Sequence, residues 1–70
     1  MSKLQTLADD WGFEVDDMLA ECVMDSVNPG ICINEGCDYS TEVEPDQDHG
    51  WCECCHTNTV KSALMLAGLI

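Results

Sequence analysis

The chain contains no arginine and only two lysines, Lys3 and Lys61, against fourteen aspartates and glutamates. Too few cations remain to assemble a basic patch, so direct binding to nucleic-acid phosphate is excluded. The same imbalance repels anionic lipid. Long apolar runs are also missing. The most apolar stretch, Ala63 to Ile70, falls far short of the ~20 residues that a spanning helix needs, and it lacks the basic flank that would hold it on a membrane surface. The first ten residues contain no apolar core of secretory-signal length. A cytoplasmic, reduced chain is therefore expected. Aromatic residues are few: Trp11, Phe13, Tyr39 and Trp51. No linker divides the seventy residues, so one domain over 1–70 is expected. A domain this small buries a modest core and usually needs a staple, which can be a metal, disulfides or a partner subunit.

Cysteine, by contrast, is abundant, with six residues in the chain. Cys32 and Cys37 are spaced C-x4-C, Cys52 and Cys55 are spaced C-x2-C, and fourteen residues separate the two pairs. Two short hooks on either side of a hairpin-length loop can deliver four thiolates to one point, which suits a tetrahedral Zn²⁺. Disulfides are the rival staple, and six cysteines allow about fifteen pairings. A reduced compartment favours the metal. Cys54 competes with Cys55 for the fourth position, and the common C-x2-C spacing favours Cys55. His49 and His56 are secondary candidates and are read as solvated loop residues. Cys22 falls on an apolar helical stripe and is read as a small buried hydrophobe.

The chain divides into three stretches. Over residues 1–30 a helical hairpin is expected. Leu4, Leu7, Ala8 and Trp11 recur on one helical face, as do Val15, Met18, Leu19, Cys22 and Val23. Ser2 and Gln5 have capping-box spacing. Gly12 is placed for a left-handed helix end, and Phe13 can fold back on Leu7 or Ala8. Asp16 and Asp17 suit the positive end of the second helix dipole, and Asn28-Pro29-Gly30 reads as a stop. This stretch resembles the turn of DNA-binding helix-turn-helix motifs, but its second helix carries Asp16, Asp17, Glu21 and Asp25 and no base-reading arginine. It is therefore read as a packing device.

Residues 31–62 form the cysteine module. A strand is expected over Tyr39 to Val43, then an acidic loop over Glu44 to Gly50, then a returning strand from Trp51. Pairing of those two strands would bring Cys37 close to Cys52. Gly36 and Gly50 are the glycines placed to supply positive φ beside the hooks. Residues 63–70 form an apolar tail. Thr59 to Lys61 reads as a short strand and Ser62 to Gly68 as a short helix. The expected class is α+β, a helical hairpin packed on a small ribbon.

The run Ile31-Cys32-Ile33-Asn34-Glu35-Gly36-Cys37, with Gly50-Trp51-Cys52-Glu53-Cys54-Cys55, resembles a zinc ribbon. The resemblance implies two cysteine knuckles on neighbouring hairpin turns, with Cys32, Cys37, Cys52 and Cys55 holding one structural zinc. The first hook departs from the family's usual C-x2-C by two residues. The whole chain also resembles small acidic proteins of bacteria and their phages, a likeness that carries no activity with it.

A closed four-thiolate site leaves no position for water or substrate, and Ser2, Ser26, Ser40 and Ser62 have no evident base partner. The acids Glu42, Glu44, Asp46 and Asp48 do not follow the EF-hand pattern and read as a solvated loop. The chain is thus expected to be non-catalytic, an acidic module for a basic protein partner. A sharper form of this reading is nucleic-acid mimicry, in which carboxylates occupy the basic groove of another protein. A rubredoxin-like iron electron carrier is the alternative use of the same cysteines. The apolar end at Leu69 and Ile70 suits homodimer formation or docking.

Overall fold

The computed structural model describes residues 2–24 and 26–69. The fold is α+β: two helices, a curled four-stranded antiparallel sheet and a short third helix. Helix α1 spans Lys3–Trp11, and the Ser2 side chain caps it by accepting from the Gln5 N–H at 3.1 Å. Gly12 ends it in the left-handed region at φ 78°. The Phe13 N–H then returns to the Ala8 carbonyl at 2.8 Å, so the turn is closed by hydrogen bonds. Helix α2 spans Val15–Val23 with Asp16 and Asp17 in its first turn.

The sheet is built differently from the hairpin expected around the acidic loop. Strands β1 (Pro29–Cys32), β2 (Ser40–Glu42), β3 (Gly50–Cys52) and β4 (Thr57–Ser62) lie in the order β2-β1-β4-β3. The expected pair, β2 with β3, therefore occupies opposite edges. The two hairpins are instead β1–β2 and β3–β4, joined through β1–β4. Pro29 and Gly30 do not simply stop helix α2; they open the central strand β1, which extends the ribbon to residue 29. Proline fits there because a first strand residue need not donate to the ladder. Glycine is required at position 30, since a Cβ would lie 2.7 Å from Val43 Cγ2 and 3.0 Å from the Lys61 carbonyl. Gly50 does not take positive φ as expected; it sits in β3, where a Cβ would meet Val60 at 3.1 Å.

Successive residues of β1 point to opposite faces, and this divides the interior in two. Ile31 packs with Leu7, Ala8, Met18, Cys22, Ala63 and Leu64 beneath the helices. Cys32 packs with Cys52 and Val60 on the other face, flanked by Cys37, Tyr39, Val43 and Cys55. Cys22 is buried as expected, and burial followed by the neighbouring Glu21 charge pushes its thiol pKa up. Two large apolar side chains stand outside the core, and one of them, Val23, belongs to the apolar stripe expected on the second helix. Val23 is 69% exposed at the end of α2, and Trp51 is 50% exposed on β3. After β4, Ser62 caps helix α3 (Ala63–Leu66) by accepting from the Met65 N–H at 3.2 Å. Leu69 is 56% exposed, and Ile70 lies outside the described residues. Among the described residues no helix is long and apolar enough to cross a membrane.

Candidate metal centre

Strands β1 and β3 run the same way along the sheet, and each ends on a cysteine, Cys32 and Cys52. The turns that follow carry Cys37 and Cys55. One sheet end thus gathers all four, with every sulfur within 4.8 Å of the others. The Cys37 and Cys52 Sγ atoms are 3.7 Å apart, and those of Cys32 and Cys55 are 3.9 Å apart. A regular tetrahedron with arms of about 2.3 Å, the zinc–thiolate distance, has edges of about 3.8 Å. The separations fit four ligands around one ion. All six cysteines are free thiols, so the disulfide alternative is not the arrangement seen. Cys54 is exposed and stands outside the cluster.

Backbone geometry shapes both turns. In the first, Gly36 takes φ 83° and the Cys37 N–H bonds to the Asn34 carbonyl at 3.1 Å. In the second, the Cys55 N–H points at the Cys52 sulfur at 3.3 Å, and the His56 N–H bonds to the Cys52 carbonyl at 2.8 Å. The positive φ of this second turn, 59°, falls on His56, a residue type that tolerates the left-handed region better than most non-glycines. The exposed His56 ring meets Trp51 edge-on with centroids 6.1 Å apart. His49 is also exposed, with Nδ1 2.6 Å from Asp48. Neither histidine belongs to the sulfur cluster.

Two supporting residues escaped the sequence reading. The Thr59 hydroxyl on β4 lies 3.1 Å from the Cys32 sulfur. It is itself tied to Thr57 Oγ1 at 3.0 Å and to the Asn34 amide at 3.5 Å. Burial pushes the Cys32 thiol up, but hydrogen bonds from Thr59, the Asn34 backbone and the neighbouring cysteines outweigh it and bring the pKa down to about 7. Cys37 receives a lowering hydrogen bond from the Tyr39 backbone, yet Cys55, burial and the other thiols push it up to about 12. Burial likewise raises Cys52. Cys32 is thus prepared as the first thiolate, while Cys37 and Cys52 hold protons that a cation would displace.

The second residue is Lys3. Its ammonium reaches from α1 to the Asn34 carbonyl at 2.9 Å, to the Cys37 carbonyl, and to Asp38 Oδ1 at 3.5 Å. One of the two lysines therefore braces the first cysteine turn, where a four-thiolate ion would leave about two negative charges. No local pattern in the sequence marks Lys3 or Thr59 for these roles, because the partner that each one meets lies more than twenty residues away in the chain.

Thr59→Val keeps the shape of the side chain and removes the donor to Cys32. Metal affinity should fall about tenfold, measured by competition with a chromophoric chelator, with little change in the far-ultraviolet spectrum of the loaded protein. Unchanged affinity would show that the hydroxyl does not support the sulfur.

A scan against protein families, a search of curated proteins and a search of solved structures each return no match for this chain. The likeness to small bacterial and phage proteins gains no support from them. The four-cysteine cluster therefore carries the functional reading alone.

Proposed function

We propose that this chain is a non-catalytic, zinc-stapled interaction module of the zinc-ribbon type, acting in the cytoplasm on a basic protein partner. The observation that carries the metal reading is the sulfur cluster itself, four Sγ atoms within 4.8 Å at the ends of two hairpins. Cys32, Cys37, Cys52 and Cys55 would hold the ion, Thr59 and Lys3 would support them, and the ion would fix one end of the sheet. Four protein thiolates fill a tetrahedral shell, so the ion supplies structure and not an open position for chemistry. The partner reading rests on a net charge of −12, which attracts basic surfaces and speeds encounter with them.

Metal analysis of protein purified without added metal should give one zinc per chain and no visible absorption. A red, iron-loaded protein would replace this reading with an electron carrier, and an ordered metal-free protein would overturn both. Zinc titration of the metal-free chain at pH 7 gives a second check. Thiolates and not thiols ligate the ion, so binding should release protons, up to about four for the four cysteines. Calorimetry in buffers of different ionisation enthalpy measures that number, and a release near zero would mean that the thiols are not the ligands.

A further inference from the structure

The sheet has a second end, remote from the sulfurs. Strands β2 and β4 run away from the cysteine turns, so the last residues of these strands meet the first residues of β1 and β3 there. The segment 43–49 crosses this end and is held by hydrogen bonds. The Val43 N–H bonds to the Asn28 carbonyl at 2.8 Å, the Gln47 N–H to the Glu44 carbonyl at 3.1 Å, and the Ser62 N–H to the Gln47 carbonyl at 2.8 Å. The Ser62 hydroxyl donates to the Pro45 carbonyl at 2.6 Å. Between this segment and β3 lies a groove of about 520 Å³, lined among others by Glu42, Val43, Glu44, Pro45, Gln47 and Trp51.

Three features of the groove point to one kind of occupant. Trp51 leaves half of its surface in solvent, although an indole is among the largest apolar surfaces that a small core can bury. Glu42 and Glu44 are exposed on the same lining. No lysine lines the groove, and Lys3, which braces the cysteine turn, is engaged elsewhere. An indole face beside two unneutralised carboxylates matches a guanidinium or ammonium group, which gains from the ring quadrupole and from charge-assisted hydrogen bonds together. The hydrogen-bonded floor means that little ordering is needed on binding.

We infer that this groove receives an arginine- or lysine-bearing segment of the partner protein, with the cationic side chain laid on Trp51 between Glu42 and Glu44. The inference rests on the acidic-module reading and gives that module an address. The groove's acidic side lies toward the sheet end opposite the cysteine turns, while Trp51 directly precedes Cys52 and meets His56 edge-on.

The test uses the zinc-loaded, ¹⁵N-labelled full chain and three probes. These are an acetylated, amidated pentapeptide of glycine with arginine at its second and fourth positions, the same peptide with glutamate there, and a thymidine decanucleotide. The arginine peptide should shift the Trp51 indole N–H and the amides of residues 41–51, and the other two should shift nothing. Glu42→Gln with Glu44→Gln should weaken the arginine peptide about tenfold, and Trp51→Leu about fivefold. Asp9→Asn with Asp16→Asn removes the same charge from the helices and should change binding less than about twofold. Equal weakening by the helix pair, or shifts centred on the helices, would overturn the groove and leave the acidic module standing. Absence of any shift with the arginine peptide would overturn both, and shifts with the decanucleotide would overturn the choice of a protein partner.

Discussion

Serine in place of Cys32 should abolish metal binding and unfold the entire chain, helices included. A structural zinc in a small domain contributes about 10–16 kcal/mol of apparent binding energy at neutral pH, comparable to the whole stability of an ordinary domain, about 5–15 kcal/mol. A three-thiolate remnant cannot supply that. The helices would not survive alone, because their core is completed by Ile31 and by Ala63 and Leu64, which border Cys32 and the end of β4. Cys37→Ser, Cys52→Ser and Cys55→Ser should behave alike, since all four sulfurs share one cluster. Cys54→Ser should keep its zinc and melt within about 0.5 kcal/mol of the parent, as expected for an exposed position away from the site. Zinc content and circular-dichroism melting read both quantities on the same samples. If Cys32→Ser held its metal and melted like the parent, the ligand set would be wrong. If Cys54→Ser were the damaging change and Cys55→Ser harmless, the fourth ligand would be Cys54.

The parts legible in the sequence are those governed by local spacing. The helix faces of Leu7, Ala8, Met18 and Cys22, the Ser2 cap and the Gly12 end follow from 3.6-residue periodicity and from backbone chemistry within a few residues. The four clustered cysteines were legible because a metal hook is itself a short-range pattern. The strand pairing was not. Strand β1 is buried along its whole length and so shows no alternation to identify it. Its opening Pro29-Gly30 resembles a turn, and Gly30 is explained by Val43 and the Lys61 carbonyl closing over it. Without β1, the acidic loop seemed to join neighbouring strands, when it joins the two edges of the sheet. Lys3 and Thr59 act across distances that no spacing rule covers. The exposure of Trp51 reverses what residue type suggests, and Trp51 lines the proposed recognition groove.

Leu7→Ala should weaken zinc binding although Leu7 belongs to the helical core and not to the cluster around the four sulfurs. Leu7 is fully buried in the helical core, and truncating such a leucine costs about 2–5 kcal/mol. If the ion and the fold form in one step, the apparent affinity for the ion carries the whole of that cost. A loss of about 2–5 kcal/mol corresponds to about a 30- to 4,000-fold weaker apparent Kd at roughly 1.4 kcal/mol per tenfold. The physical route is β1: Ile31 packs under the helices while the next residue, Cys32, turns to the sulfur cluster. Val23→Ala provides the control, because Val23 is 69% exposed and its truncation should leave both stability and affinity near the parent. Chelator competition and thermal melting on the three proteins decide the matter. Parallel losses in Leu7→Ala would show a single cooperative unit in which the helices set the strength of the metal site. A lowered melting temperature with undiminished zinc affinity would mean that the two hairpins close around the ion on their own, with the helical layer docking afterwards.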